Sequence, residues 1–106
     1  MGVSCVQTPG AVKILAELSR DKVAKVRDWA TFSLGAQQSA DTPLLRRALR
    51  ARLLDKDFDT RLEAICGLAI RKDWEGLVLL SGWLKKGKAA PGCIVDAAKE
   101  LGIDQQ

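Results

Sequence analysis

The fifteen residues from Asp21 to Gly35 recur in altered form 34 positions later, from Asp55 to Ala69, and no other feature limits the fold of this chain as tightly. Asp21/Asp55, Lys22/Lys56, Arg27/Arg61, Ala30/Ala64 and Leu34/Leu68 match at five of the fifteen places. Average residue frequencies would give about one match by chance. A fixed period of this size is the mark of a stacked repeat, in which each unit buries its apolar face only against its neighbours.

Read in order, the apolar spacing predicts six helices in three antiparallel pairs. Residues 1–8 have no periodic pattern and are expected to fray. Pro9 opens a helix carrying Val12, Leu15 and Leu18, with Ile14 beside them, that ends near Ser19. Asp21 falls in the next turn. Val23, Val26, Ala30 and Leu34 follow on one arc, flanked by Trp29 and Ser33, and Gly35 is the expected stop. Asp41 or Thr42 caps a third helix with Pro43 in its first turn and Leu45, Ala48, Leu49 and Leu53 as its buried stripe. Asp55 and Asp57 repeat the turn, and a fourth helix, starting near Asp59 or Thr60, buries Ala64, Ile65 and Leu68. Asp73 caps a fifth through Leu77, Leu80 and Leu84, with Lys85-Lys86 at its negative end. After a turn over 87–92, Cys93, Ala97, Leu101 and Gly102 restate the spacing of Val26, Ala30, Leu34 and Gly35 without the aspartate or the arginine. No segment alternates with period two for long enough to make a strand. The expected class is all-α.

Asp21 and Arg27, then Asp55 and Arg61, are each six apart, with the acid between two helices and the base one turn into the second. With the Val-Arg-x-x-Ala-x-x-x-Leu core of 26–34, this pattern resembles the HEAT repeat in its short bacterial form, related to the HEAT-like repeats of phycobilisome lyases. The likeness holds well over 21–71 and by spacing alone over 10–20 and 74–102. It implies an α-α superhelix, a right-handed solenoid of three antiparallel helix pairs. One domain over 1–106 would comprise units at about 9–36, 42–71 and 73–103. Asp21, Arg27, Asp55 and Arg61 would then form a ladder between units, each carboxylate accepting from helix amides and from an arginine fork. A tetratricopeptide repeat shares the period, but its tryptophan-tyrosine pattern is absent. Thr42-Pro43-Leu44 is similar to the opening of an ankyrin repeat, whose following histidine is missing.

Several function classes are disfavoured on composition. The chain has no histidine, no nucleophile elbow, no phosphate-cradling glycine loop and no metal-ligand spacing, so neither catalysis nor a cofactor or metal is expected. Its longest aliphatic run, Leu77-Val78-Leu79-Leu80, is far short of the ~20 residues that span a bilayer. The N-terminus has no signal-peptide pattern, and the expected location is the cytoplasm. The three cysteines, Cys5, Cys66 and Cys93, are too few and too scattered for a disulfide framework. Cys66 and Cys93 are expected to behave as small apolar groups.

What remains is binding. The second helix of each pair in such repeats lines a concave surface. Asp28, Trp29, Phe32 and Glu63 are the candidate partner-binding face, with Cys66, Asp96 and Lys99 at equivalent places. Acidic positions around aromatic ones suit a protein or peptide segment carrying basic and apolar side chains. The plainer alternative is that Trp29 and Phe32 only pack on the neighbouring pair. Arg46, Arg47 and Arg50 share one face of the third helix. They are the basis of the alternative function, a nucleic-acid-binding accessory module, although no aromatics are interleaved and a solvated outer face explains them as well. Arg52 falls in an apolar arc and must reach an aspartate of the turn. Leu79 and Trp83 share an outward face that would meet either the C-terminal segment or a second subunit in a homodimer. The primary expectation is a non-catalytic adaptor or scaffold.

Overall fold

A computed structural model describes residues 9–85 and 91–103, and among these every regular element is helical. The helices are α1 (Pro9–Leu18), α2 (Ala24–Phe32), α3 (Pro43–Ala51), α4 (Phe58–Ile70), α5 (Trp74–Lys85) and α6 (Gly92–Leu101), with a π-helical turn at Ser33–Gln37 continuing α2. None is long and apolar enough to cross a membrane among the described residues. The expected fraying of residues 1–8 lies outside the described residues, as do Lys86 and most of the 87–92 turn.

The caps explain the starts. Thr42 accepts from the Leu45 amide at 3.2 Å with Pro43 in the first turn of α3. Asp57 opens α4 by accepting from the Thr60 amide at 3.0 Å and the Thr60 hydroxyl at 2.7 Å. Asp73 accepts from the Glu75 amide at 3.1 Å at the head of α5. Short polar side chains here satisfy amides that have no partner within the helix.

Two apolar clusters meet at α4. Val12, Leu15, Ala30, Leu34, Leu45, Leu49 and Leu68 join α1 to α4. Leu62, Ile65, Ala69, Leu80, Ile94 and Ala97 join α4 to α5 and α6. Seven of the thirteen residues of α4 are buried, from Thr60 to Ala69, so it is a central helix rather than a one-faced one. The radius of gyration, 13.0 Å, equals the ~13 Å of a compact domain near this length.

The turn after α2 departs from expectation. Gly35 does not stop the helix. It is buried within the π-helical turn, closed by the Gln38 amide donating to the Ser33 carbonyl at 3.0 Å. A Cβ on Gly67 would lie 2.7 Å from the Gly35 Cα, so both glycines serve close helix contact rather than backbone freedom. The true glycine stop is Gly102, whose φ of 77° ends α6. Lys72 takes the same left-handed turn after α4 at φ 61° without being glycine.

Candidate functional site

The recurrent charges are structural. Arg27 grips Asp55 with two bonds, Nε at 2.8 Å and Nη2 at 3.1 Å, while its Nη1 donates to the Asp21 and Lys22 carbonyls at 3.1 Å each. Asp55 is 2% exposed and also accepts from Arg52 at 2.9 Å and from the Asp57 amide at 2.8 Å. Burial alone would raise the Asp55 carboxyl, but the arginine forks and the amide outweigh it and hold it below the ordinary range. Arg52 thus reaches a turn aspartate, as its place in the apolar arc demands.

The expected ladder has one complete rung. The Asp21 carboxylate accepts from the Val23 amide at 2.8 Å, and Arg61 donates to the Asp55 and Lys56 carbonyls at 2.8 and 3.3 Å. The Arg61 guanidinium lies 5.5 Å from the Phe58 ring centre. Arg61 therefore repeats the backbone half of Arg27's role, in a unit whose successor has lost the aspartate.

The outer basic face is largely neutralised. Arg46 pairs with Asp41 at 2.6 and 2.8 Å and reaches Asp73 at 3.2 Å. Arg50 bonds Asp73 and pairs with Glu75 at 2.9 Å. Arg47 is exposed beside them. A phosphate would have to displace carboxylates from two of the three arginines expected to bind it.

Arg71, next after the last residue of α4, is a clamp. Its guanidinium donates to the carbonyls of Leu34, Gly35, Gln38, Ala40 and Gly67 at 2.5–3.0 Å. Four carbonyls in and just after the π-helical turn and one on α4 are satisfied by one planar fork, which a lysine could not imitate.

On the other side, α2, α4 and α6 enclose a groove of about 220 Å³ bordered by Phe32, Glu63, Cys66, Cys93, Asp96 and Glu100. The structure brings Phe32 and Glu63 together there, as the helical arc predicts. Asp28 reaches the groove only through Glu63, with which it shares a side-chain hydrogen bond. Trp29 is 41% exposed and is not part of the groove wall. From α6 the groove takes Asp96, as expected, and Glu100, whereas Lys99 is not on its wall.

Glu63 is the most perturbed acid. Burial, then the bond to Asp28 and the charge of Asp28, push it up to about 9. At neutral pH Glu63 therefore keeps its proton. One oxygen of each, Asp28 Oδ1 and Glu63 Oε1, is buried with no hydrogen-bond partner among the described residues.

Cys66 and Cys93 pack against the second apolar cluster, as small apolar groups would, and are also half-exposed on this wall. Among the described residues no group of three or more histidine, cysteine, aspartate or glutamate side chains could hold a metal ion.

Trp83 does not stand outward as expected. It is half-buried and meets Phe58 edge-on, with ring centres 5.9 Å apart at 72°. The exposed apolar side chains of α5 are Trp74, Val78 and Leu79.

No family model matches this chain, and no solved structure does. The chain is 34% identical over 100 residues to Protein YibA of Escherichia coli (strain K12) and equally to the protein of that name in Escherichia coli O157:H7. The match covers 94% of this chain and 35% of each relative. The chain therefore spans about a third of the length of the curated relatives it matches.

Proposed function

We propose that this chain is a non-catalytic interaction module, a HEAT-like stack of three helix pairs that grips a partner segment in the groove between its inner helices. The pairs are α1–α2, α3–α4 and α5–α6, and the inner helices are α2, α4 and α6. The Arg27–Asp55 rung and the shared role of α4 in both clusters support the stacked reading.

One observation carries the binding reading. The groove concentrates Glu63, Asp96 and Glu100 around Phe32, and the Asp28–Glu63 pair buries two acceptor oxygens without donors. Buried acceptors without partners cost stability, so such atoms are places where a donor on a ligand would gain most. A volume of about 220 Å³ is below the ~300–1,000 Å³ of pockets that enclose small molecules. The space suits one or two side chains of a protein segment. Complementarity selects a lysine or arginine flanked by an apolar residue.

A cation beside Glu63 would expel its proton, so binding should tighten as pH rises from 7 toward about 9, where Glu63 ionises. Affinities for short peptides varied at lysine, arginine and glutamate positions test the reading. Basic-apolar peptides should bind best, and Phe32→Ala or Glu63→Gln should weaken them about tenfold, or about 1.4 kcal/mol. Equal affinity for acidic peptides, or indifference to Phe32→Ala in a variant with an unchanged circular-dichroism spectrum, would overturn it.

A further inference from the structure

Cys66 Sγ on α4 donates to the carbonyl oxygen of Cys93 on α6 at 3.1 Å, which sets the two thiols side by side. Both border the same open groove, so a small reagent in solution reaches them. They come from helices packed directly on one another, 27 positions apart in sequence. We propose that Cys66 and Cys93 are a reversible oxidation site that low-molecular-weight disulfides convert to an intramolecular Cys66–Cys93 bridge.

The two sulfurs are not equivalent, and the difference assigns their roles. Cys93 lies in the first turn of α6, where amides without helical partners and the positive end of the dipole favour a thiolate. The neighbouring Cys66 thiol and the amides of Ile94 and Cys93 favour that thiolate, so Cys93 is drawn down to about 7 despite its partial burial. The neighbouring Cys93 and burial push Cys66 up, so it keeps its proton. Cys93 is the attacking sulfur and Cys66 the resolving one.

The chemistry balances with the disulfide reagent as the oxidant. The Cys93 thiolate attacks one sulfur of R–S–S–R, breaking that bond and releasing RS⁻, and a mixed disulfide remains on Cys93. The Cys66 thiol then loses its proton and attacks Cys93 Sγ, which expels the second RS⁻. Two protein thiols are oxidised, one reagent disulfide is reduced, and two RSH form once the protons are placed. A bridge here ties α6 to α4 across the groove floor.

The test is to treat the reduced full chain, under native conditions, with glutathione disulfide and to follow free thiols and intact mass, then to map peptides. The expected product has lost two thiols and two hydrogens, carries no glutathione, and yields a Cys66–Cys93 linked peptide. It should form at least about tenfold faster than any product through Cys5. Dithiothreitol should restore the starting mass. Cys66→Ser should instead accumulate one glutathione on Cys93, because the resolving thiol is gone. Stable glutathione adducts on Cys66 and Cys93 of the parent, or cross-links that involve Cys5 alone, would overturn the proposal. The parent product decides the matter even if a variant fails to fold.

Discussion

The α3 face of this protein and the groove between α2, α4 and α6 treat their charged groups in opposite ways. On the α3 face Arg46 and Arg50 are matched by Asp41, Asp73 and Glu75. In the groove Glu63 and Asp28 face each other as like groups, with Asp96 and Glu100 nearby. Matched charges hold elements together, whereas a cluster of one sign stores an unfavourable interaction that a partner of the other sign relieves. A count of charges along the sequence points to the arginines. Their pairing points to the acids.

The comparison can be broken most forcefully at its paired side. Asp55→Ala should cost about 3–4 kcal/mol in chemical denaturation, because it leaves Arg27 and Arg52 without their shared buried carboxylate. The pH dependence has a definite sign. A carboxyl held below its unfolded value contributes stability above the model-compound range near 3.8, and that contribution is lost as pH falls through the depressed folded value. The parent should therefore lose stability on acidification below that range, and the variant should lose less of it.

Asp73→Ala should cost about 2–3 kcal/mol, somewhat less because its arginine partners are 28% and 43% exposed. It would also free Arg46 and Arg50. Salt-sensitive binding of duplex DNA that appears in this variant and not in the parent would show that pairing is what silences the α3 face.

On the unpaired side the direction reverses. Glu63 holds its proton up to about 9 when folded and loses it near 4.5 when unfolded, so stability falls as pH rises between those values. Glu63→Gln should flatten that slope and raise stability at pH 7 by about 1–2 kcal/mol after allowance for its partial exposure. Thermal melts from pH 5 to 9 would show it; a variant less stable than its parent at pH 8 would mean that Glu63 is paired after all. The smallest change lies outside both faces. Lys72→Gly relieves a left-handed residue at the end of α4 and should gain about 0.5–1 kcal/mol. That sets the scale of a purely backbone effect.

Much of the fold is legible in the residues because helices are read from local spacing. Leu45, Leu49, Leu68 and Leu80 are buried where the arc predicts, and Asp73 caps the helix it precedes. Phe32 and Glu63 reach the groove because a period of 3.6 fixes the directions of side chains on one helix. Trp29 is misplaced because it sits at the edge of that arc, where a small rotation decides between groove and solvent. Gly35 is misread because glycine serves equally as a helix stop and as a gap for close packing. Only the presence of Gly67 opposite distinguishes the two.

The sequence by itself determined the helical class, the positions of the helices and their caps, and the pair Arg27 and Asp55 as structural, since each follows from a pattern within a few residues or from the period. Tertiary structure alone decided that Arg71 clamps five carbonyls, that Arg46 and Arg50 are neutralised by Asp73, and that Cys66 and Cys93 share a groove with Glu63. Apart from Arg71 with Gly67 and Glu63 with Cys66, those facts join residues 23 to 37 positions apart. Whether a charge or thiol is free or occupied depends on the group that arrives from such a distance, and no local pattern encodes that arrival.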